Sequence, residues 1–320
     1  MFDNKKEVSK IIENFINYLV CIKNYSINTA KAYLSDLILF SSFIKKYKDI
    51  PLEIKDFNIF VFLQIKESDI IAFLVYSNYS KNNCPYTRQR RITAIKAFYK
   101  YILGLHPVIN KINPTENLPQ IKKDERLPKY LKLKQAKQIQ TVFSKENTKF
   151  PERNNAIITL FLSTGIRLSE LINIDINDIN FDDNSITIFG KNSKERIVYF
   201  SSYCKEKLFE YLNTRVENDN RALFINRWGK RVGVNAVENI CERAYKLLGI
   251  NNNGYTVHTL RHTSASIMYI YVANDVLLVK EFLGHASLAS TQIYTHLNNN
   301  KLREAVDKNP LNNYERKRGK

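Results

Sequence analysis

Apolar residues recur at helical spacing from Val8 to Tyr47. Ile11, Phe15, Tyr18 and Leu19 mark one helix, and Ala30, Tyr33, Leu34, Leu37 and Phe40 a second, because a 3.6-residue turn places each set on one face. Between them, Ser26-Ile27-Asn28-Thr29 offers a short polar side chain placed to cap the second helix. The same spacing predicts a third helix over Glu67–Tyr79. A fourth is predicted over Arg88–Leu103, with Ile92, Ile95, Phe98, Tyr99 and Ile102 on its apolar stripe. From His106 to Pro128 the period fails. Pro107, Pro114, Pro119 and Pro128 interrupt it, with Lys122, Lys123 and Arg126 between the last two, so the stretch reads as an exposed linker. The expected layout is a helical unit over 1–106, a linker over 107–128 and a second unit over 129–320.

The second unit opens with a helix after Leu131 and another over Asn154–Ser163, followed by a Thr164-Gly165 turn and a helix from Arg167 to Ile172. Then the period changes. SITIF (185–189) and RIVYF (196–200) are short β-branched and aromatic runs joined by GKNSKE, which is a hairpin pattern. Helices resume from Ser202, over Asn235–Leu248, and from His258 onward. The fold class expected is mainly α, with a small β-sheet in the second unit only.

Charge narrows the partners. The 320 residues hold 49 Lys and Arg against 31 Asp and Glu, a formal net charge of +18, and such a field attracts polyanions. A membrane surface would call for a basic amphipathic anchor, and a membrane span for about 18 consecutive apolar residues. The chain shows neither, and MFDNKKEVSK lacks a signal-peptide pattern. A cytoplasmic, nucleic-acid-binding protein is expected. Nine glycines speak against Gly-rich nucleotide loops, and no Walker motif calls for ATP. Cys21, Cys84, Cys204 and Cys241 lie far apart, which favours packed thiols over disulfides or zinc. From Lys81 to Gly104 there are six basic residues and no acidic one. Within that run Arg88, Arg90, Arg91, Lys96 and Lys100 are candidate phosphate contacts, although a merely solvated basic face has the same pattern.

Four segments of the second unit carry polar residues that packing alone does not require. In STGIRLSEL (163–171), Arg167 and Glu170 lie three apart after a Gly turn. The arginine can offer its fork to a phosphate while the glutamate holds it; a surface ion pair has the same spacing. The hairpin turn carries Lys191, either solvated or aimed into a cleft as a proton donor, and Lys194, a further candidate DNA contact. HTLRH (258–262) sets His258, Arg261 and His262 together; no nearby cysteine or carboxylate completes a zinc set, and a histidine beside an arginine is a candidate acid or base. LGHASLASTQIYTHL (283–297) places Tyr294 nine residues after His285. A tyrosine becomes a nucleophile only where cations and a histidine supply positive potential.

Arg167, Lys191, His258-x-x-Arg261, His285 and Tyr294 occur in the order and approximate spacing of the tyrosine recombinase (phage integrase) family, and the chain most resembles its Xer branch. YSINTAKAYLSDLILFSSFI and RRITAIKAFYKYI resemble the family's core-binding domain, and NPTENLPQIKKDERLPKYL its linker. Two departures stand out. Ser264 follows HTLRHT where an aromatic is common, and IMYIYVANDVLLVKEFLGH is about one residue longer than usual, without the midway glycine near Ala273-Asn274.

The resemblance implies a helical, SAM-like core-binding domain and a mixed catalytic domain that together form a C-shaped DNA clamp. It implies type IB topoisomerase-like chemistry: Tyr294 as nucleophile, a 3′-phosphotyrosyl intermediate, Arg167 and Arg261 on the phosphate, and Lys191 as general acid. His258 would handle proton traffic, His285 would bond the phosphate, and Glu170 would support. No cofactor or metal is implied. The implied partners are a palindromic core site on duplex DNA and a tetrameric synapse, either homotetrameric or of paired recombinases. An accessory activator such as a DNA translocase is also implied. Resolution of chromosome or plasmid dimers is the expected role. Integration or transposition of a mobile element and non-cleaving sequence-specific DNA binding are the alternatives.

Overall fold

The computed structural model describes residues 8–81, 85–105, 113–119, 129–145, 149–190, 195–216, 219–250, 254–273 and 275–284. The chain divides into two compact units, Met1–Glu125 and Arg126–Lys320.

The first unit is helical: α1 (Lys10–Cys21), α2 (Ile27–Tyr47), α3 (Ile59–Leu63), α4 (Glu67–Lys81) and α5 (Pro85–Leu105). Ser26 caps α2 as its sequence suggests, accepting the Thr29 N–H at 3.2 Å. The short α3 was not expected. Five residues are too few to display a 3.6 period, and the helix is set by Asn58, whose side-chain oxygen accepts from Phe60 and Val61. Buried aromatics meet edge to face across the unit, Phe62 on Phe98 at 4.9 Å and Phe40 on Phe73 at 5.1 Å, adding about 1 kcal/mol per pair to area burial. The Tyr99 hydroxyl donates to the Phe62 carbonyl at 2.9 Å, and burial pushes its pKa upward.

The basic run on α5 is divided by packing. Arg91 is buried beside Asp36 and donates to the Ser77 hydroxyl. Arg90 donates to Asp36 at 2.6 Å and to the Ala32 carbonyl at 3.0 Å. Burial raises the Asp36 pKa while both arginines oppose it, and an unpaired carboxylate in that position would be costly. Arg91 as it stands faces the core, which corrects the expectation of a phosphate contact there. Lys96 donates to the Leu118 carbonyl at 3.3 Å, Arg88 is half-buried and Lys100 is exposed. The proline-rich stretch is not wholly exposed either. Thr115 and Leu118 are buried, and Leu118 joins the core of the first unit.

The second unit contains α6 (Leu133–Ile139), α7 (Pro151–Thr164), α8 (Leu168–Asn173), β1 (Ile179–Asn180), β2 (Ser185–Phe189), β3 (Glu195–Tyr199), α9 (Ser202–Thr214), α10 (Val234–Leu247), α11 (Val257–Met268) and α12 (Val276–Leu283). Helix α7 is buried nearly all round, including every residue from Asn154 to Phe161, and α9 and α11 pack on it. The hairpin forms with Ser185 opposite Tyr199 and Phe189 opposite Glu195. Strand β1 adds antiparallel to β2 through Ile179–Ile186 and Asn180–Ser185, a pairing too short to leave a period-2 signal. Cys204 and Cys241 are buried and their thiol pKa values are pushed up to about 12, whereas Cys21 is exposed. Helix α11 passes into one π turn, Tyr269–Ala273, within the stretch expected to run about one residue over length. A π turn absorbs one extra residue without ending the helix.

Candidate active site

Helix α7 ends at Gly165, which takes the left-handed conformation (φ 61°) and donates its N–H to the Phe161 carbonyl at 2.9 Å. A Cβ at this position would lie 3.0 Å from Leu283 Cδ2 and from Phe282 Cε1, so the backbone sign favours glycine and any side chain would crowd both neighbours. The tight turn delivers Arg167 to the N-cap of α8. It does not lie inside the helix, where the periodicity placed it.

Glu170, at the third position of α8, accepts the Arg167 backbone N–H at 2.7 Å and its Nη1 at 2.9 Å. A second arginine completes the cluster from the sheet. Arg196 on β3 donates Nη1 to Glu170 Oε1 at 2.8 Å and Nη2 to Oε2 at 2.9 Å. The side chain of Glu170 is 4% exposed, that of Arg196 22% and that of Arg167 39%. Burial disfavours the carboxylate, but hydrogen bonds from Arg196 and Arg167 outweigh it and hold the Glu170 pKa at about 2. Glu170 is therefore a fixed anion that orients two cations, one of which faces outward.

Arg261 rises from α11 and is buried. Its Nη1 donates to the Gly165 carbonyl and its Nη2 to the Leu283 carbonyl at 2.7 Å. The Ser264 hydroxyl donates to the Leu162 carbonyl at 2.7 Å, joining α11 to α7 one turn later. His258 is exposed at the start of α11, unlike buried Arg261 three residues on. It lines a cleft of about 380 Å³ with Leu168, Tyr255 and Thr256. His262 is half-buried, and burial, then the nearby charges of His258 and Arg261, lower its pKa to about 4. It is held neutral near pH 7.

The network closes on itself. Arg261 bridges the turn before Arg167 and the end of α12. Gly284, one residue further, approaches Arg196 so closely that a Cβ would lie 2.7 Å from Nε. Arg196 holds Glu170, and Glu170 holds Arg167. Four elements distant in sequence thus meet at one cationic site. Lys191, Lys194, His285 and Tyr294 lie outside the described residues.

The signature of the phage integrase family matches residues 129–301, and that of the phage integrase N-terminal SAM-like domain matches residues 12–104. The chain belongs to the phage integrase family. Tyrosine recombinase XerC of Caldanaerobacter subterraneus subsp. tengcongensis is 38% identical over 94% of this chain and 87% of its own length. XerC of Thermodesulfovibrio yellowstonii is 33% identical over 93% and 95%. The XerH recombinase in its pre-cleavage complex with difH shares the fold, with a TM-score of 0.71 at 24% identity over 93% of this chain and 83% of that one. The protein is a Xer-type tyrosine recombinase, an enzyme that cuts and rejoins DNA. Among the described residues of this recombinase no helix is long and apolar enough to cross a membrane.

Sequence reasoning passed over Arg196. Its signal was an arginine on an otherwise apolar strand, RIVYF, next to the lysine-bearing turn. Spacing alone could not pair it with a glutamate 26 positions earlier.

Proposed function

We propose that this recombinase opens one DNA strand through a 3′-phosphotyrosyl bond at Tyr294 and reseals it onto a new partner strand. The tyrosine oxygen attacks the scissile phosphorus, the bond to the 5′-oxygen breaks, and a 5′-hydroxyl leaves with a proton from Lys191. His258 takes the tyrosine proton and His285 bonds the phosphate. The phosphodiester energy stays in the covalent link, so resealing is the same step reversed. Arg167 neutralises charge that develops on the non-bridging oxygens, and Arg261 would join it by turning N–H groups from the Gly165 and Leu283 carbonyls toward the phosphate, each such donor being worth about 3–4 kcal/mol.

The observation that carries this reading is the closed network of Arg167, Glu170, Arg196 and Arg261. It aligns cations at the N-terminal end of α8 without leaving Glu170 as a competing base. Arg88, Lys100 and Lys194 are proposed to grip phosphates outside the site. Arg90 and Lys96 would do so only by exchanging their internal partners. The extent of the likeness to XerC proteins supports a role in resolving chromosome or plasmid dimers. In that role a tetramer, alone or with a paired recombinase, would act on two palindromic core sites under an accessory activator.

A nicked duplex carrying a candidate core site tests the chemistry, because the nick lets the cut fragment diffuse away and traps the intermediate. The wild type is expected to give an adduct that survives a denaturing gel, and Tyr294→Phe none at equal DNA binding. Specific binding with no adduct from the wild type on any cognate site would contradict the reading and favour a non-cleaving DNA-binding protein.

A further inference from the structure

We propose that Arg196 is a positioning residue for cleavage: its two-pronged grip fixes the Glu170 carboxylate that aims Arg167, and its contact with Gly284 ties that carboxylate to the segment leading into His285. The inference rests on the reading that Arg167 meets the scissile phosphate. An Arg167–Glu170 pair by itself is an i,i+3 contact, worth only tenths of a kcal/mol on a surface and free to swing. Arg196 removes that freedom. Each Glu170 oxygen receives one N–H from Arg196 and one from Arg167, either its side chain or its backbone. The fork sets the plane of the carboxylate, and a set plane leaves one direction for Arg167 Nη1.

Both terminal nitrogens of Arg196 are engaged by Glu170, so Arg196 acts through that carboxylate. A lysine could place a charge there but could not reproduce the fork. Gly284 extends the coupling. Its φ is 61°, and a Cβ would lie 2.7 Å from Arg196 Nε and 3.0 Å from Cδ and Cζ. A side chain at 284 must therefore displace the Arg196 side chain or the backbone of Gly284. Misplacing a catalytic group by about 1 Å can cost 10²-fold in rate, so a shift of this fork is a kinetic event even where the fold survives.

The charged partners bonded to Glu170 are Arg167 at the N-cap of α8 and Arg196 from β3. Without the fork, burial remains and drives the carboxyl pKa upward, so cleavage should gain an acid-sensitive limb. The test measures single-turnover adduct formation on a nicked duplex at saturating protein, from about pH 5 to 8, a window in which wild-type Glu170 stays ionised. The variants are Arg196→Gln, Arg196→Lys, Gly284→Ala, Glu170→Gln and the double variant Arg196→Gln/Glu170→Gln.

Arg196→Gln is expected to slow cleavage at least about 10-fold at neutral pH, and more on the acidic side, with DNA affinity retained. Arg196→Lys should recover part of the rate, and Gly284→Ala should reproduce the acid-sensitive limb with Arg196 intact. The double variant should be no slower than the slower single variant, as for two residues acting in series. If Arg196→Gln melts below the assay temperature, Arg196→Lys and Gly284→Ala carry the same prediction. Wild-type rates, or additive losses with an unchanged pH profile, would overturn the proposal. Unimpaired cleavage by Arg167→Ala would instead overturn the reading on which it rests.

Discussion

Glu170→Ala is expected to destabilise the second unit by about 2–3 kcal/mol at neutral pH, with the loss shrinking as the solution is acidified. The buried carboxylate is ionised because its folded pKa, about 2, lies below the ordinary 4.5. A depressed carboxyl pKa contributes stability that is present above the unfolded value and lost as pH falls through the folded one. Here that window runs from about pH 4.5 down to 2. At about 1.4 kcal/mol per pKa unit the shift corresponds to roughly 3 kcal/mol. Water around the partly exposed Arg167 and Arg196 lowers the figure somewhat. Removing the anion also leaves two guanidinium groups side by side without their common acceptor, which adds repulsion. Urea unfolding of wild type and variant at pH 7 and near pH 3 checks the sign. A gap of the same size at both pH values would show that Glu170 contributes by packing and not by charge.

Arg167→Ala carries the largest expected effect among the described site residues. Single-turnover cleavage should fall about 10²–10³-fold, the usual cost of losing one preorganised donor to a developing oxyanion. DNA affinity should fall only slightly, because one phosphate contact among many contributes one unit or less to the salt slope. The same truncation at exposed Lys100 should do the reverse, weakening binding with cleavage at saturation unchanged. On the proposed reading the +18 net charge would serve two ends, most of it gripping the DNA backbone and a small part aimed at one phosphorus. Equal losses of affinity and cleavage for both substitutions, measured on one nicked duplex, would erase that division.

How far the chain could be read from its sequence follows from the range of each interaction. Helix α2, with Ala30, Leu37 and Phe40 buried on one side, and strand β2, with Ile186 and Ile188 buried, announce themselves because their signals repeat every few residues. Helix α3 and strand β1 are too short to repeat, so nothing in the pattern marked them. The proline-rich stretch reads as a break in periodicity, but Leu118 shows that a broken period does not mean an exposed chain.

The site divides in the same way. Arg167 with Glu170 was visible because they lie only three positions apart at the start of one helix. The partnership of Glu170 with Arg196, and of Arg261 with the Gly165 and Leu283 carbonyls, exists only after β3, α11 and α12 have packed. Basic residues on α5 show the opposite limit. Sequence spacing could not tell Lys100, which is exposed, from Arg91, which serves as an internal counter-charge for Asp36. Charge type is local, whereas the direction in which a charge points is tertiary.

The central claim is that Tyr294 carries the DNA 3′-phosphate between cleavage and resealing. It is tested most directly by trapping the adduct on a nicked duplex, digesting it with trypsin and nuclease, and sequencing the modified peptide by mass spectrometry. The account predicts a nucleotide linked through its 3′-phosphate to Tyr294 and a free 5′-hydroxyl on the released strand. A linkage to any other residue, or through a 5′-phosphate, would contradict it.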